Sequence, residues 1–558
     1  LALSKHYFVT LGFLAMGQGA LAQQPVGAGG QIQQIPPAPT LQNPAPALPA
    51  PREQPMLDSR PAGAKIQVKV LRVTGQTVYS EGELVAATGF KPGSELTLPE
   101  LRAMAAQISS YYNARGYVVA QAYLPAQDIV GGVVTIAVVE GRYGKVSLLN
   151  ETNVSDSLAS SYLDGLNSGD AVAMEPLERR LLLLSDLPGV GVRSTLTPGT
   201  AVGTSDLIVD LTQGRRVTGS LEADNSGNPY TGEYRLGAAV NLNEPLGIGD
   251  VLSARYLGST TGGLNYGRVA YQAQVEAATV GVSYAIFDYR LGKQFAPLHA
   301  SGSEQIASLY GSYPLIRSYN DNLRLLADVD YRTFQDKVGI TSTTVDKQAW
   351  VLNAGVAGDF HDMWGGGGWN SYTLIGSFGD LDIQSPLARA IDAATAQTNG
   401  TYAKASFSVS RLQVLAGPFT LYGSVRGQIA ANNLDISEKM ELGGAYGVRA
   451  YPEGESYGDD GYVATLEARM LLPKWPDSLP GEMHLIGFID TGYVRYNSSP
   501  WMSGRNDATR TGVGVGLTWA DANNFSATVA YAHEIGGERA TSAPDRFGRF
   551  WFQVVKYF

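Results

Sequence analysis

From about residue 217 to the C-terminus, apolar and polar positions alternate with a period of two. Val280, Val282, Tyr284 and Ile286 alternate with Thr279, Gly281, Ser283 and Ala285. Leu323, Leu325, Ala327, Val329 and Tyr331 alternate with Arg324, Leu326, Asp328, Asp330 and Arg332. Val513, Val515, Leu517 and Trp519 alternate with Gly512, Gly514, Gly516 and Thr518. A period of two places one set on each face of a strand. One face is apolar, with aromatics near strand ends; the other is small or charged. A water-soluble sandwich alternates too, but its strands are usually shorter. Charged residues opposite a lipid-suited face predict a membrane β-barrel with a watery lumen. Sixteen antiparallel strands would leave roughly twenty residues for each strand and its turn, against the ~9–11 that span a bilayer. Fourteen or eighteen fit nearly as well.

Ahead of the barrel the period changes. Residues 65–73 alternate and predict a strand. Ser80-Glu81-Gly82-Glu83 predicts a capping box opening a short helix that stops at Gly89. Thr97-Leu98-Pro99-Glu100 predicts a second, with Pro just inside the start. Leu101, Met104, Ala105, Ile108 and Tyr112 share a face of that helix, which ends near Gly116. Strands follow at 117–124 and 133–139, giving the order β-α-α-β-β. The order then recurs. Gly93 to Leu101 and Gly169 to Leu177 have equal spacing, and Pro-Glu-Leu-Arg at 99–102 is answered by Pro-Leu-Glu-Arg at 176–179. Leu177, Leu181 and Leu184 form the apolar face of the second long helix, and strands near 190–196 and 207–211 close it. Two α+β units of about 75 residues are predicted; a single continuous α+β domain is the alternative.

At the N-terminus, Lys5-His6 precedes an apolar stretch over 7–16 and then Ala20-Leu21-Ala22. This predicts a secretory signal over 1–22, cleaved before Gln23. Ten prolines between 25 and 61 make residues 23–63 a linker, extended rather than a long helix. Residues 30–35 are its one patch suited to docking.

Composition narrows the class. Charged residues are 16% of the 558 and hydrophobic ones 44%, yet no internal run reaches the length of a membrane helix. Gly at 66 and Tyr at 30 are abundant, as in outer-membrane barrels, and Cys at 0 excludes disulfides and thiolate metal sites. A net charge of −10 counts against a nucleic-acid partner. Enzymatic readings find no support. His533-Glu534 lacks a second His at metalloprotease spacing, and neither a nucleophile elbow nor a phosphate-binding loop is present. No catalytic residue, cofactor or metal is expected.

The candidate chemistry lies in one loop. Val448-Arg449-Ala450-Tyr451-Pro452 sits between Gly-rich 443–447 and acidic 453–456. A lone Arg on a glycine-soft loop needs a partner. Gly487-Phe488-Ile489-Asp490-Thr491-Gly492 offers one, a carboxylate inside an otherwise apolar strand. An Arg/Asp combination among amphipathic strands points to a protein-conducting pore.

Several stretches carry a resemblance over about 64–558. They are Tyr111-Tyr112-Asn113-Ala114-Arg115-Gly116-Tyr117, Leu124-Pro125-Ala126-Gln127, Val139-Glu140-Gly141, Leu177-Glu178-Arg179, Leu187-Pro188-Gly189-Val190 and Leu196-Thr197-Pro198-Gly199. Asp224-Asn225-Ser226-Gly227 and Asn243-Glu244-Pro245-Leu246-Gly247-Ile248-Gly249-Asp250 follow at the barrel entry. In this order they resemble the two-partner secretion transporters of the haemolysin-activator and filamentous-haemagglutinin-exporter type. The resemblance implies two periplasmic POTRA domains, at 64–141 and 142–214, and a sixteen-stranded outer-membrane barrel over 215–558. It implies a secreted exoprotein partner (an adhesin, cytolysin or toxin), outer-membrane lipid around the barrel, and the barrel-assembly machinery during biogenesis. The last strand, 549–558, ends in Phe558 like the signal that machinery reads, although Lys556 interrupts the apolar face. The loop at 448–452 is implied to fold into the lumen and Arg449 to pair with Asp490, positioning the loop and adding little net stability in a watery setting. The family motif there is usually Val-Arg-Gly-Tyr, so Ala450 departs from it. Many members also carry an N-terminal plug helix. The Pro-rich 23–63 makes a long one implausible, leaving either the patch at 31–35 or the loop alone to close the pore. A barrel-assembly insertase and a passive porin are the rival readings.

Overall fold

The computed structural model describes residues 27–40, 64–474, 479–544 and 546–558. The signal expected over 1–22 and most of the linker lie outside the described residues.

Sixteen antiparallel strands close into a barrel. The first, Val217–Asp224, pairs with the second, Arg235–Asn243, and with the last, Arg549–Tyr557. Closure leaves no sheet edge, which a strand in lipid requires. Period-two alternation sets the two faces. Val280, Val282, Tyr284, Ile286, Leu325, Val515, Phe550 and Val554 point outward and are exposed, whereas Glu304, Asp330, Asp490 and Arg510 are buried inside. An apolar band of this extent suits only a hydrocarbon surround. The strands are unequal, from 8 residues in the first to 20 in Thr343–Asp362. The longest connection, 431–459, joins Phe419–Ala430 to Asp460–Leu471 and turns back into the lumen.

Two α+β modules precede the barrel. In the first, both capping boxes form: Ser80 and Glu83 open Glu81–Ala87, and Thr97 and Glu100 open Leu98–Asn113. Leu101, Ala105, Ile108 and Tyr112 bury that helix against Val134, Ile136 and Val138 of Val133–Val139. The single strand expected over 65–73 is broken at Lys69. Ile66–Val68 pairs with a short strand the alternation did not show, Ser94–Leu96, while Val70–Thr74 runs parallel to Val133–Val139. Lys69 and Val70 turn their amides to Gly132 O, which redirects the chain. The strand expected over 117–124 shrinks to Gln121–Tyr123, because Tyr117 and Ala120 are held in turns by Tyr112 O and Tyr117 O.

Glu140 ties this module together. Its buried carboxylate accepts from Thr77 N (2.5 Å), Val78 N (2.7 Å), Tyr112 Oη (2.9 Å) and Arg142 (2.9 Å). Burial alone would raise its pKa; the donors from Thr77, Val78 and Tyr112 outweigh it and hold the carboxyl below its ordinary range.

The second module repeats the plan with Met174–Ser185 packed on Val190–Pro198 and Thr204–Gln213. Its long helix has no side-chain cap; Met174 N donates instead to Gly116 O of the first module (2.9 Å). Val172 N likewise donates to Gly141 O (2.9 Å), and Arg142 opens the next strand two residues after Glu140. The second module also grips the barrel's near turns. Arg317 pairs with Asp186 through two bonds (2.8 and 2.7 Å), and Glu178 accepts from Tyr319 N (2.5 Å). Ser155 N reaches Gly247 O (2.9 Å) and Tyr162 Oη reaches Glu276 O (2.7 Å).

One stretch of the linker departs from the extended conformation expected. Ala28–Ile32 forms a 5-residue helix inside the barrel. Ala28 is fully buried in a cluster with Tyr230, Leu264, Phe287 and Tyr289, and Ile32 and Ile35 pack on it.

Candidate functional site in the barrel lumen

The strand Glu482–Arg495 alternates, so Phe488, Asp490 and Gly492 face inward together. Gly487 has the opposite parity, and a side chain there would meet nothing within 4 Å, so it takes no part in holding the loop. Asp490 is 0% exposed. Arg449 reaches it through Nε to Oδ2 and through a terminal nitrogen to Oδ1, both at 2.8 Å. The Arg449 amide adds a third bond at 3.2 Å. This is the two-toothed geometry that a planar guanidinium offers a carboxylate.

Three further residues complete the clamp. Glu467, on the neighbouring strand, takes the remaining guanidinium nitrogen at 2.8 Å. Phe488 lies beneath the guanidinium, 3.4 Å from ring centroid to Cζ. Trp551 of the last strand donates its indole N–H to Arg449 O at 2.7 Å. The surroundings are therefore not the watery lumen expected for this pair. Val448, Ala450, Tyr451, Asp490 and Glu467 are all buried. Truncating one partner of a buried, hydrogen-bonded pair costs about 3–5 kcal/mol, far more than an exposed pair.

Ala450 is accommodated by a missing side chain opposite. A Cβ built on Gly512 would stand 2.4 Å from the Ala450 Cβ. Gly492 makes similar room for Leu442. Tyr451 Oη donates to Glu538 O (2.6 Å), and Pro452 is buried beside Gly443. Past Pro452, Glu455 is fully buried and accepts from Arg510 (2.7 and 3.0 Å), Thr541 and Ser542. The loop's other arm is held by Arg332 on Glu438 (3.0 Å), Lys404 on Glu438 (2.8 Å) and Lys347 on Asp435 (2.8 Å).

Sequence reasoning singled out Arg449 and Asp490 and missed Glu467, Arg510, Glu455 and Trp551 as partners. For Glu467 and Arg510 a sign was present, a charge inside an amphipathic strand, as at Asp490. Nothing local marks Trp551, whose contact spans 102 residues.

The 28–36 segment fills the lumen beside this loop. Ala28 N donates to Asp336 (2.9 Å), Gln33 to Ile436 O (2.8 Å) and Gln34 to Tyr457 Oη (2.9 Å). Arg235 donates to Gln34 O (2.9 Å) and Arg255 to Pro36 O (2.6 Å). Gly29 passes so close that a Cβ there would lie 2.4 Å from the Ser437 Cβ. Among the described residues no group of His, Asp or Glu is arranged to hold a metal.

A closed sixteen-stranded barrel, an inward loop locked by an arginine and two α+β modules at one mouth together define an outer-membrane protein transporter with periplasmic POTRA domains. The chain belongs to the haemolysin secretion/activation protein family ShlB/FhaC/HecB, whose model matches residues 203–519. The ShlB-type POTRA domain matches residues 66–141. The chain is 28% identical over 500 residues to the heme/hemopexin transporter protein HuxB of Haemophilus influenzae, covering 88% of this chain and 86% of the relative. It is 24% identical over 453 residues to the outer membrane transporter CdiB of Dickeya dadantii, covering 79% and 78%. In fold it is similar to CdiB from Escherichia coli, with a TM-score of 0.69 and 19% identity over 90% of this chain and 93% of that one. It is thus a two-partner secretion barrel of the outer membrane, with its POTRA domains in the periplasm.

Proposed function

We propose that the chain recognises an unfolded exoprotein in the periplasm through its POTRA domains and exports it to the cell surface or medium without nucleotide hydrolysis. The edge strand Gln121–Tyr123, with exposed Tyr123, Val130 and Val133 nearby, suits capture of an extended client by added backbone hydrogen bonds and apolar contacts. The client then threads the lumen, and its folding outside supplies direction. The observation that carries this reading is a lumen filled by two separate pieces, the loop clamped by buried ion pairs and the 28–36 segment held by single hydrogen bonds that a passing chain can exchange. The Arg449–Asp490 pair positions the loop, and the last strand, with Phe550, Val554 and Phe558 outward, is the element offered to the barrel-assembly machinery. The relative named as a heme/hemopexin transporter supports a haem-acquisition exoprotein as one client class beside adhesins, cytolysins and toxins. No catalytic role is assigned to any residue. Deleting the gene and measuring the exoprotein in culture medium tests the reading: secretion should fall to background and return on complementation, and unchanged secretion overturns it. Single-channel recording separates it from a porin, which would stand open steadily.

A further inference from the structure

Glu304 is a carboxylate in an apolar slot of the barrel wall. It lies on the inner face of Ala300–Arg317, directly opposite Phe287 of Ala278–Arg290 on one side and Phe334 of Asp321–Val338 on the other. All three side chains are buried, and Glu304 is 1% exposed. Ile306 is the next inward residue on the same strand. Neither carboxylate oxygen of Glu304 has a hydrogen-bond partner among the described residues. The nearest donors in register are committed elsewhere. Tyr289, opposite Gly302, donates to Asp336 (2.8 Å). Arg332, opposite Ile306, holds Asp330 (2.6 and 3.1 Å) and Glu438 (3.0 Å). Lys347, opposite Phe334, holds Asp435 (2.8 Å). A buried polar group without a partner keeps its full desolvation penalty, which an apolar residue in this slot would not incur.

The penalty belongs to the filled lumen. The Ala28–Ile32 helix lies against the strand that carries Glu304, against both neighbouring strands and against the turn Ile436–Glu438 of the lumenal loop. Ala28 shares a buried cluster with Phe287, and Leu434 of the loop shares one with Phe334. One inward step along the wall, at the level of Gly302, Ala28 N donates to Asp336 (2.9 Å). The cover over Glu304 is thus the 28–36 segment together with the loop arm beside it. With the segment gone, this stretch of wall faces lumenal water, which supplies donors freely.

We propose that Glu304 is a release element for the 28–36 segment: a carboxylate that the docked segment strips of donors and that the open lumen satisfies. Each time the segment docks, Glu304 is desolvated with nothing in return. Each time the segment leaves, that penalty is recovered. The hydrogen bonds that hold the segment are thereby offset, and docking stays weak enough to be undone by a passing chain. A hydrophobic side chain between Phe287 and Phe334 would instead extend the apolar floor under Ala28 and hold the segment in place.

The inference rests on reading 28–36 as the piece that closes the lumen and leaves it, and the test separates the two. The full-length protein is recorded in planar bilayers, with folding checked by heat-modifiable mobility. Glu304→Met, apolar and of similar length, should open about tenfold less often than wild type, as expected when one unsatisfied buried group is removed from the closed state. Glu304→Leu is the second variant should the first fail to fold. In a chain lacking 28–36, the same substitution should leave conductance unchanged, because nothing then docks on the slot. A folded Glu304→Met or Glu304→Leu that opens as often as wild type, or more often, overturns the release element. So does a variant that closes the chain lacking 28–36, since Glu304 would then act on the barrel or the loop. If the chain lacking 28–36 with Glu304 intact closes like wild type, the reading of the segment itself falls.

Discussion

The two pieces that fill the lumen are held by different chemistry. The loop tip rests on ionic bonds: Arg449 between Asp490 and Glu467 over Phe488, then Arg510 on Glu455. Among the described residues the 28–36 segment has no ion pair: it rests on single hydrogen bonds, neutral from the amide side chains of Gln33 and Gln34 and charge-assisted where Ala28 N donates to Asp336 and the Gln34 and Pro36 carbonyls accept from Arg235 and Arg255. A neutral bond contributes about 0.5–1.5 kcal/mol net and one with a charged partner about 1.5–3, whereas breaking one side of a buried ion pair costs about 3–5 kcal/mol. The loop therefore belongs to the barrel's own stability, while the segment is built to leave without unfolding anything. A 5-residue helix has little stability alone, so leaving also means melting.

The largest effect should come from the clamp. Arg449→Glu places a third carboxylate beside Asp490 and Glu467; secretion should fall to background and denaturant resistance of the folded barrel should drop by about 3–5 kcal/mol. Adding Asp490→Arg should recover only part of the export, since Glu467 then faces a like charge. If the single variant secreted normally, the contrast between clamp and segment would be gone. Next in size, Gly512→Ala should lose about 1–3 kcal/mol through collision with Ala450, and Ala450→Gly in the same chain should restore it, read by the same denaturation. Removing residues 28–36 should leave barrel stability within about 1 kcal/mol of wild type yet turn brief openings into steady conductance. Smallest, Gln34→Ala with Gln33→Ala should raise opening frequency several-fold with export intact, as expected from two lost neutral bonds. A fall in export in that variant would mean the segment does more than close the pore.

The barrel was legible because a wall between lipid and water must alternate, and the alternation survives in Val280–Ile286 and Val513–Trp519 whatever the fold does elsewhere. The first module was legible from its capping boxes, and the second from Pro-Leu-Glu-Arg at 176–179 answering Pro-Glu-Leu-Arg at 99–102. What escaped were features decided by distant contacts. Ser94–Leu96 is too short to show a period and exists because Ile66–Val68 pairs with it. Ala28–Ile32 lacks the length for intrinsic helicity and is folded by the lumen wall around it. At the clamp, Arg449 and Asp490 stood out as charges in unlikely places. The depth of their burial did not, because it depends on Trp551 and Glu538 arriving from the last hairpin.

The seam between the two POTRA domains has a mechanical consequence. Arg142 begins one strand two residues after Glu140 and is bonded back to it, while Met174 and Val172 are stitched to Gly116 and Gly141. These bonds cross the seam directly, and the second domain is bonded in turn to Tyr319, Arg317 and Gly247 at the barrel rim. A force applied to the outer domain would therefore pass through these bonds to the rim, under the strands that enclose the loop.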